Sequence, residues 1–408
     1  MQRLNTEFVR SQFPAFSQPE LSARSFFENA GGSYTCTQVQ DRLKRFYSSR
    51  KMQPSAFYAP ADAGMAEMDE AQRRLARMLN VAHDELVFGP STSMNVYVLA
   101  QAFAQWLQPG DAIIVTDQDH EANSGPWRRL AAQGVEVREW QMNRETGLLD
   151  TEGLVPLLDD KVRLLAFPHV SNIIGAINDV VSITQTAQQA GAYVVIDGVS
   201  YAPHGFPDIG AIGADVYLFS AYKTFGPHQG IMAIKRGLGL ELPNQGHYFN
   251  HDHLDMRFAP AGPDHAQVAA SAGIADYVDA IYVHHLNADD CPRGRTKFVH
   301  DLFRGAEVAL MEPLLDFLSG QKGIRLLGPR SALERAPTLA ADTDEDPTTL
   351  AIELAKRGVL AGAGDFYAVR PLKALGIDPK RGVLRMSFLH YTNEEDVARL
   401  IRALDEIL

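Results

Sequence analysis

The sequence predicts an α/β protein with a mainly parallel sheet, covered by helices on both faces, and a second, smaller domain. Two observations carry this prediction. Up to about residue 260, short apolar runs alternate with helical patterns, and such alternation is typical of parallel strands joined by crossover helices. Beyond that point, long helical segments replace the alternation.

The predicted strands are short, mostly β-branched or aromatic, and lack polar alternation, as expected for strands buried on both faces. They cover 85–88, 112–116, 163–167, 193–196, 215–219 and 230–234. Helical patterns fill the gaps at 68–79, 93–107, 126–133 and 182–190. Ligands of parallel sheets bind beyond the carboxyl ends of the strands. Polar residues that directly follow each strand are therefore the candidate functional residues.

The C-terminal part has a different pattern. Helices are predicted at 266–286, 296–318 and 393–407. Pro313 is expected to interrupt the second of them, and Thr392 and Glu395 have capping-box spacing before the third. We predict an N-terminal segment (1–20) that joins the small domain, a large domain (21–265) and a small α+β C-terminal domain (266–408).

Composition excludes several classes of protein. Of the 408 residues, 46% are hydrophobic and 22% charged, which disfavours a disordered or fibrous chain. The net charge of −12 disfavours a nucleic-acid or anionic-membrane partner. Two distant cysteines, Cys36 and Cys291, exclude a disulfide framework and fit a reducing compartment. With no secretory signal or long apolar run, a soluble cytoplasmic protein is expected.

The first candidate catalytic residue is Lys223, in the loop 220–227 that follows a predicted strand. A lysine held in a pocket has a lowered pKa and can form a Schiff base with a carbonyl. An ordinary surface lysine is the alternative. Tyr222 stands where a Walker A loop needs glycine, and the companion elements of the Ser-x-x-Lys signature are absent. An α/β-hydrolase is excluded because no Gly-x-Ser-x-Gly elbow is present.

Four further polar groups follow predicted strands. Asp197 offers a carboxylate, Thr92 and Ser93 lie where a helix N-terminus could hold an anion, His120 offers a flat ring, and Asn172 an amide. Taken singly, each is equally consistent with capping or with loop structure. Together with the amine, they match the groups that would bind an aromatic aldehyde phosphate, namely pyridoxal phosphate.

At this point the sequence resembles the fold-type I pyridoxal-phosphate enzymes, in the class V aminotransferase and cysteine desulfurase group. The motifs that carry the resemblance are 27–32, 261–265, 366–368 and 385–388. The resemblance spans nearly the whole chain. It implies a seven-stranded, mainly parallel sheet in the large domain and a homodimer with the active site at the subunit interface.

The resemblance also implies residue roles. Lys223 matches the lysine of the internal aldimine, Asp197 the partner of the pyridine nitrogen, and His120 the ring stacked on the cofactor. The other implied cofactor contacts are Thr92, Ser93, Asn172, Ser200, Ser220 and Tyr222, and the implied substrate contacts are Arg385, Asn172, Gly31 and Tyr367. Ser200 and Tyr222 replace the glutamine and histidine that desulfurases often have.

The most important departure from the desulfurase pattern concerns Tyr367. It stands where the family's desulfurases carry the catalytic cysteine, and tyrosine cannot accept sulfur as a persulfide. Neither Cys36 nor Cys291 fits that position. This argues against sulfur transfer by the usual covalent route.

We therefore expect a pyridoxal-phosphate enzyme that acts on a small amino acid through an external aldimine and Cα deprotonation. A lyase, for example one catalysing carbon–sulfur β-elimination, and an aminotransferase are both open. The alternatives are a desulfurase with a non-standard route, an epimerase, or a catalytically silent cofactor-binding protein. No metal is expected, because the histidines of 247–253 lie in a loop without a second ligand set. A binding role for His251 or His265 stays open.

Overall fold

The structure is a computed structural model that describes residues 3–54, 57–286, 288 and 291–408. Its strands are β1 (Ser25–Phe27), β2 (Leu86–Gly89), β3 (Ala112–Thr116), β4 (Glu136–Trp140), β5 (Val162–Pro168), β6 (Tyr193–Asp197), β7 (Val216–Ser220), β8 (Gly230–Ile234), β9 (Ile324–Leu326), β10 (Thr338–Thr343), β11 (Val359–Gly364) and β12 (Val383–Ser387). Its helices are α1 (Thr6–Ser11), α2 (Pro19–Ser22), α3 (Thr37–Ser49), α4 (Ala59–Leu79), α5 (Thr92–Trp106), α6 (Gly125–Arg128), α7 (Thr151–Leu154), α8 (Val180–Gln189), α9 (Ile209–Ile212), α10 (Arg236–Glu241), α11 (His265–Ala270), α12 (Ala272–His285), α13 (Pro292–Gly320), α14 (Pro347–Lys356), α15 (Val369–Ala374) and α16 (Glu394–Ile407).

The larger sheet has seven strands in the order β2-β8-β7-β6-β5-β3-β4. Its pairs are parallel except the two that involve β8, so the predicted mainly parallel seven-stranded sheet is confirmed. The edge strand β4, with the sequence EVREW, is not among the predicted strands. Charged residues are common on edge strands because they discourage pairing with other chains, and here they hide the apolar pattern.

Helices cover both faces of this sheet, as predicted. One apolar core joins the sheet to α4 and α12 and includes Leu75, Phe167 and Tyr277. The other lies beneath α5 and includes Phe103 and Trp127. Burial on both faces explains why most of these strands read as uninterrupted apolar runs.

The smaller sheet has the order β1-β11-β12-β10-β9. Its core packs strand residues such as Phe27 and Met386 against α13 and α16. The strand β1 therefore belongs to this sheet although it lies near the start of the chain, and it pairs in parallel with β11. The domain boundaries at 20/21 and 265/266 stay predictions.

Several helix details differ from the sequence analysis. The predicted helix 266–286 is two helices, α11 and α12, separated at Ser271, and α13 continues through Pro313 without interruption. The capping box of α16 lies one residue later than predicted. Asn393 accepts a hydrogen bond from the N–H of Asp396, whose carboxylate accepts one from the N–H of Asn393. In the described ranges, no helix combines the length and apolar composition that a membrane span needs.

Candidate active site

Lys223 lies in a short 3-10 turn, Ala221–Lys223, at the carboxyl end of β7. Its side chain is turned inward, and the residue is only 9% exposed. Burial and the nearby Arg385 guanidinium lower the pKa of Lys223 to about 8, against the opposing influence of Asp197 and Glu28. The amine is therefore neutral over a wider pH range than an ordinary lysine and is better suited to act as a nucleophile or base.

This lowered pKa predicts a pH-dependent stability difference in protein without cofactor. Below pH 8, Lys223 is charged in both the folded and the unfolded chain, so the cost of the buried charge is fully present. Between about pH 8 and the ordinary lysine pKa of 10.5, the folded chain loses the proton first and that cost declines. We expect Lys223→Met to have a larger free energy of unfolding than the parent at pH 7. The difference between the two proteins should decrease from about pH 8 to pH 10.5.

Urea unfolding at pH 7, 8, 9 and 10 measures this gap. Lys235→Met is the matched control, because the side chain of Lys235 is 46% exposed. A Lys223→Met gap that stays constant from pH 7 to 10 would contradict the buried, perturbed lysine.

Asp197 is the last residue of β6, and its Oδ1 accepts a hydrogen bond from the N–H of Val199 at 2.8 Å. Burial raises the pKa of Asp197 to about 6, although the Val199 hydrogen bond and Lys223 lower it. Burial and the Asp197 carboxylate together raise the pKa of Asp119 well above its usual range. Asp197 is therefore mainly ionised at neutral pH, and a cation or proton-bearing nitrogen placed against it would stabilise the buried charge.

His120 follows β3 and caps a 3-10 turn, Glu121–Asn123. Its Nδ1 accepts a hydrogen bond from the N–H of Ala122 at 3.0 Å, so Nε2 carries the proton of the neutral ring. Burial, with Lys223 and Arg385 nearby, lowers the pKa of His120 to about 3. The ring is therefore a flat, uncharged surface at neutral pH.

The start of α5 offers hydrogen-bond donors. Ser91 caps the helix by accepting from the N–H of Met94, and Thr92 Oγ1 lies 2.7 Å from Ser220 Oγ. This pair joins the first turn of a 15-residue helix to the end of β7. Backbone N–H groups and hydroxyls in this arrangement are a common anion site.

Arg385, on β12, is buried, with a side chain only 4% exposed. Its Nη1 donates to the carbonyl of Asn172 at 3.1 Å, and its Nη2 to Glu28 Oε1 at 2.5 Å. The guanidinium also lies 3.7 Å from the centre of the Phe366 ring. Asn172 Nδ2 donates to the carbonyl of Phe366, and in the described part of the chain Asn172 Oδ1 has no partner.

Tyr367 lies in the loop that follows β11 and is 72% exposed. Phe366 and Tyr367 have φ angles of 49° and 58°, in the left-handed region that bulky residues rarely adopt. The carbonyl of Tyr367 accepts from the N–H of Glu121 at 2.9 Å. Two consecutive residues in this region store strain, which is common in functional loops.

A cavity of about 600 Å³ brings these groups together. Of the predicted residues, Gly31, Ser93, His120, Asn172, Tyr222, Lys223, Tyr367 and Arg385 line it. A recess of about 60 Å³ continues the site and is lined by Thr92, Asp197, Ser200 and Ser220 together with Lys223. All the predicted site residues thus meet in one place.

Glu28, Asp119 and Phe366 have no role predicted from the sequence, although each lies in or beside a motif that carries a prediction. Their contacts depend on the pairing of distant strands, which the sequence does not display. His251 and His265 do not line this cavity. The His251 ring instead lies beside Arg257, with Nη1 and Nδ1 separated by 3.3 Å.

Comparison with known proteins agrees with this architecture. The family model for class V aminotransferases matches residues 25–257. The aminotransferase-like protein FGM3 of Gibberella zeae is 32% identical, and a cysteine desulfurase of Serratia proteamaculans is 28% identical, each over 98% of both chains.

Solved structures show the same similarity. The cysteine desulfurase CsdA of Escherichia coli superposes with a TM-score of 0.80 and 26% identity over 98% of each chain. A cysteine desulfurase of Thermococcus onnurineus superposes with a TM-score of 0.85 at 21% identity, covering 100% of this chain and 98% of its own. The second similarity concerns the fold alone.

Proposed function

The chain belongs to the class V aminotransferase family, which consists of pyridoxal-phosphate-dependent enzymes, and we propose that it acts on a small amino acid by removing its Cα proton. The observation that carries this proposal is the position of Lys223. Its buried amine, with a pKa lowered to about 8, lines both the large cavity and the recess that holds Asp197.

The residues of the site fit pyridoxal phosphate. Bound there, the cofactor supplies an aldehyde that reacts with amines and a pyridine ring that accepts electrons from Cα. The recess offers a buried carboxylate at Asp197 and a neutral ring at His120. Thr92 and Ser220 provide hydroxyls beside a helix N-terminus, and Asn172 Oδ1, which has no partner among the described residues, is an available acceptor. Ser93, Ser200 and Tyr222 complete the proposed contacts.

Three side chains would do the chemical work. Lys223 would hold the cofactor and, once released, would take the Cα proton at Nζ, for which its lowered pKa suits it. Asp197 would keep a pyridine nitrogen protonated, because its buried carboxylate favours a paired positive charge. Arg385 would orient the substrate carboxylate, with Asn172, Gly31 and Tyr367 as further contacts in the cavity.

The site is compatible with a lyase and with an aminotransferase, and epimerisation is a further outcome of Cα deprotonation. Desulfuration is less favoured, because no cysteine lines the described cavity or recess to accept the sulfur, so a desulfurase would need a non-standard route. Burial raises the pKa of the Cys36 thiol to about 12, which makes it a poor nucleophile. A silent binding protein would have no need of lysine, aspartate and arginine together.

An amino-acid panel tests this proposal. The cofactor-loaded protein is mixed with each amino acid, with and without a keto acid acceptor. The absorption spectrum of the protein is followed together with the formation of keto acid from the amino acid, of ammonia and of sulfide. We expect a spectral change with at least one amino acid, followed by product. Keto acid without ammonia would identify transamination, and keto acid with ammonia would identify elimination. A spectrum that no amino acid changes would contradict the proposal.

We also propose that the protein is a homodimer. Large apolar side chains, including Phe57, Tyr248 and Phe249, are exposed, and such residues often mark association surfaces. A light-scattering mass equal to one chain would exclude the dimer.

A further inference from the structure

Glu28 directly follows β1, and its carboxylate lies beside Gly362 of β11 and Arg385 of β12. Phe27 is the last residue of β1 and pairs with Ala361, whereas Glu28 forms an isolated bridge with Ser387 of β12. Gly362 in turn pairs with Arg385 across β11 and β12. Because Gly362 has no side chain, Glu28 reaches across it to the guanidinium of Arg385.

Two glycines leave the space that the Glu28 carboxylate occupies. A Cβ at Gly362 would lie 2.0 Å from Glu28 Oε2, and a Cβ at Gly31 would lie 3.1 Å from Oε1. Gly362 is not among the residues with positive φ, so its backbone conformation does not require glycine. The space for the carboxylate does require it, because real Cβ atoms do not approach other atoms that closely.

The Glu28 carboxylate already binds the Arg385 guanidinium, the group that the carboxylate of the proposed substrate would need. Arg385 Nη2 bonds to Glu28 Oε1 at 2.5 Å and Nη1 to the Asn172 carbonyl at 3.1 Å. Both terminal nitrogens therefore have partners before any ligand arrives. A carboxylate that binds Arg385 must displace Glu28 or lie beside it, and two neighbouring carboxylates repel each other.

We propose that Glu28 is a specificity residue that competes with the substrate carboxylate for Arg385 and thereby weakens the binding of small carboxylates. This inference rests on the proposed function in taking Arg385 as the carboxylate site. Specificity is a difference of affinities, and an internal competitor rejects ligands that offer nothing beyond a carboxylate. Only a ligand with further favourable contacts in the cavity overcomes the competition.

Propionate is the probe, because it presents a carboxylate and little else. We expect Glu28→Gln in the cofactor-loaded protein to bind propionate at least about fivefold more tightly than the parent, in the range typical of coupling between two ligands. Isothermal titration calorimetry measures the dissociation constants. Glu406→Gln is the matched control, since it removes an exposed carboxylate whose arginine partner, Arg357, lies elsewhere; its affinity should equal that of the parent.

Gly362→Ala gives a second measurement with the charge of Glu28 retained. Its added methyl group would force the carboxylate away from Arg385, so propionate should again bind more tightly. Unchanged or weaker binding in the folded variants would overturn the proposal, and if only one variant folds, that one decides. Failure of the proposed function would be visible separately, as a parent protein that binds no cofactor at Lys223.

Discussion

Replacing Lys223 with alanine is expected to abolish the visible absorption of lysine-bound cofactor and to reduce turnover below detection. The reason is chemical, because an alanine methyl group can neither bond to the aldehyde nor accept the Cα proton. The recess would keep Asp197, Thr92 and Ser220, so the cofactor could still bind there without a covalent link. Spectra of the purified variant after addition and removal of free cofactor measure the loss.

Lys235→Ala is the matched control for this variant. Lys235 follows β8, and its partly exposed ammonium donates to the carbonyl of Gly213 at 2.6 Å. It carries the same charge but does not line the cavity. We expect normal absorption and turnover in this control. A Lys223→Ala protein that keeps the parent spectrum and activity would remove Lys223 from the mechanism.

Six of the seven strands of the large sheet were predictable because they are buried on both faces. The strand at 230–234 was placed with its observed bounds, and β6 differs from its prediction only by including Asp197. Once the strands were placed, the carboxyl-end rule identified Lys223, Asp197 and His120. The edge strand β4 was missed because its charged residues interrupt the apolar pattern.

Contacts within and beside the smaller sheet could not be predicted from the sequence. The contact between Glu28 and Arg385 joins residues 357 positions apart, and it depends on a glycine at a particular register. Likewise, the left-handed conformations of Phe366 and Tyr367 are not expected of bulky residues. Such features arise from tertiary packing that overrides local preference, and they lie beside the cavity.

The acidic groups of the recess also depend on tertiary structure. Burial and the Asp197 carboxylate raise the pKa of Asp119 well above its usual range, and burial raises the pKa of Asp197 to about 6. In the described residues, Asp119 Oδ1 has no hydrogen-bond partner, while Oδ2 accepts from Asn123 at 2.7 Å. A protonated Asp119 beside Asp197 leaves the recess with about one negative charge, which Asp197 can offer to a single cationic partner.

Replacing Asp197 with asparagine is therefore expected to reduce turnover by about a hundredfold or more, the usual scale for loss of a preorganised electrostatic group. Asparagine retains an oxygen that can accept from the N–H of Val199, so the local structure should persist. The neutral amide cannot hold a pyridine nitrogen in its protonated form, and the Cα proton then becomes harder to remove. Exchange of that proton in D₂O, followed by NMR, measures this step directly, while the covalent link to Lys223 should survive.

Asp215→Asn provides a matched control for the loss of a buried carboxylate. Asp215 precedes β7 and accepts hydrogen bonds from the N–H of Val194 at 2.9 Å and from Gln188 at 3.0 Å. It does not line the cavity or the recess. Asp215→Asn should thus lower stability without slowing Cα exchange in the folded protein. If only the burial of the carboxylate mattered, the two variants would change the Cα exchange rate equally. Equal exchange rates in Asp197→Asn and the parent would show that the charge of Asp197 does not support the reaction.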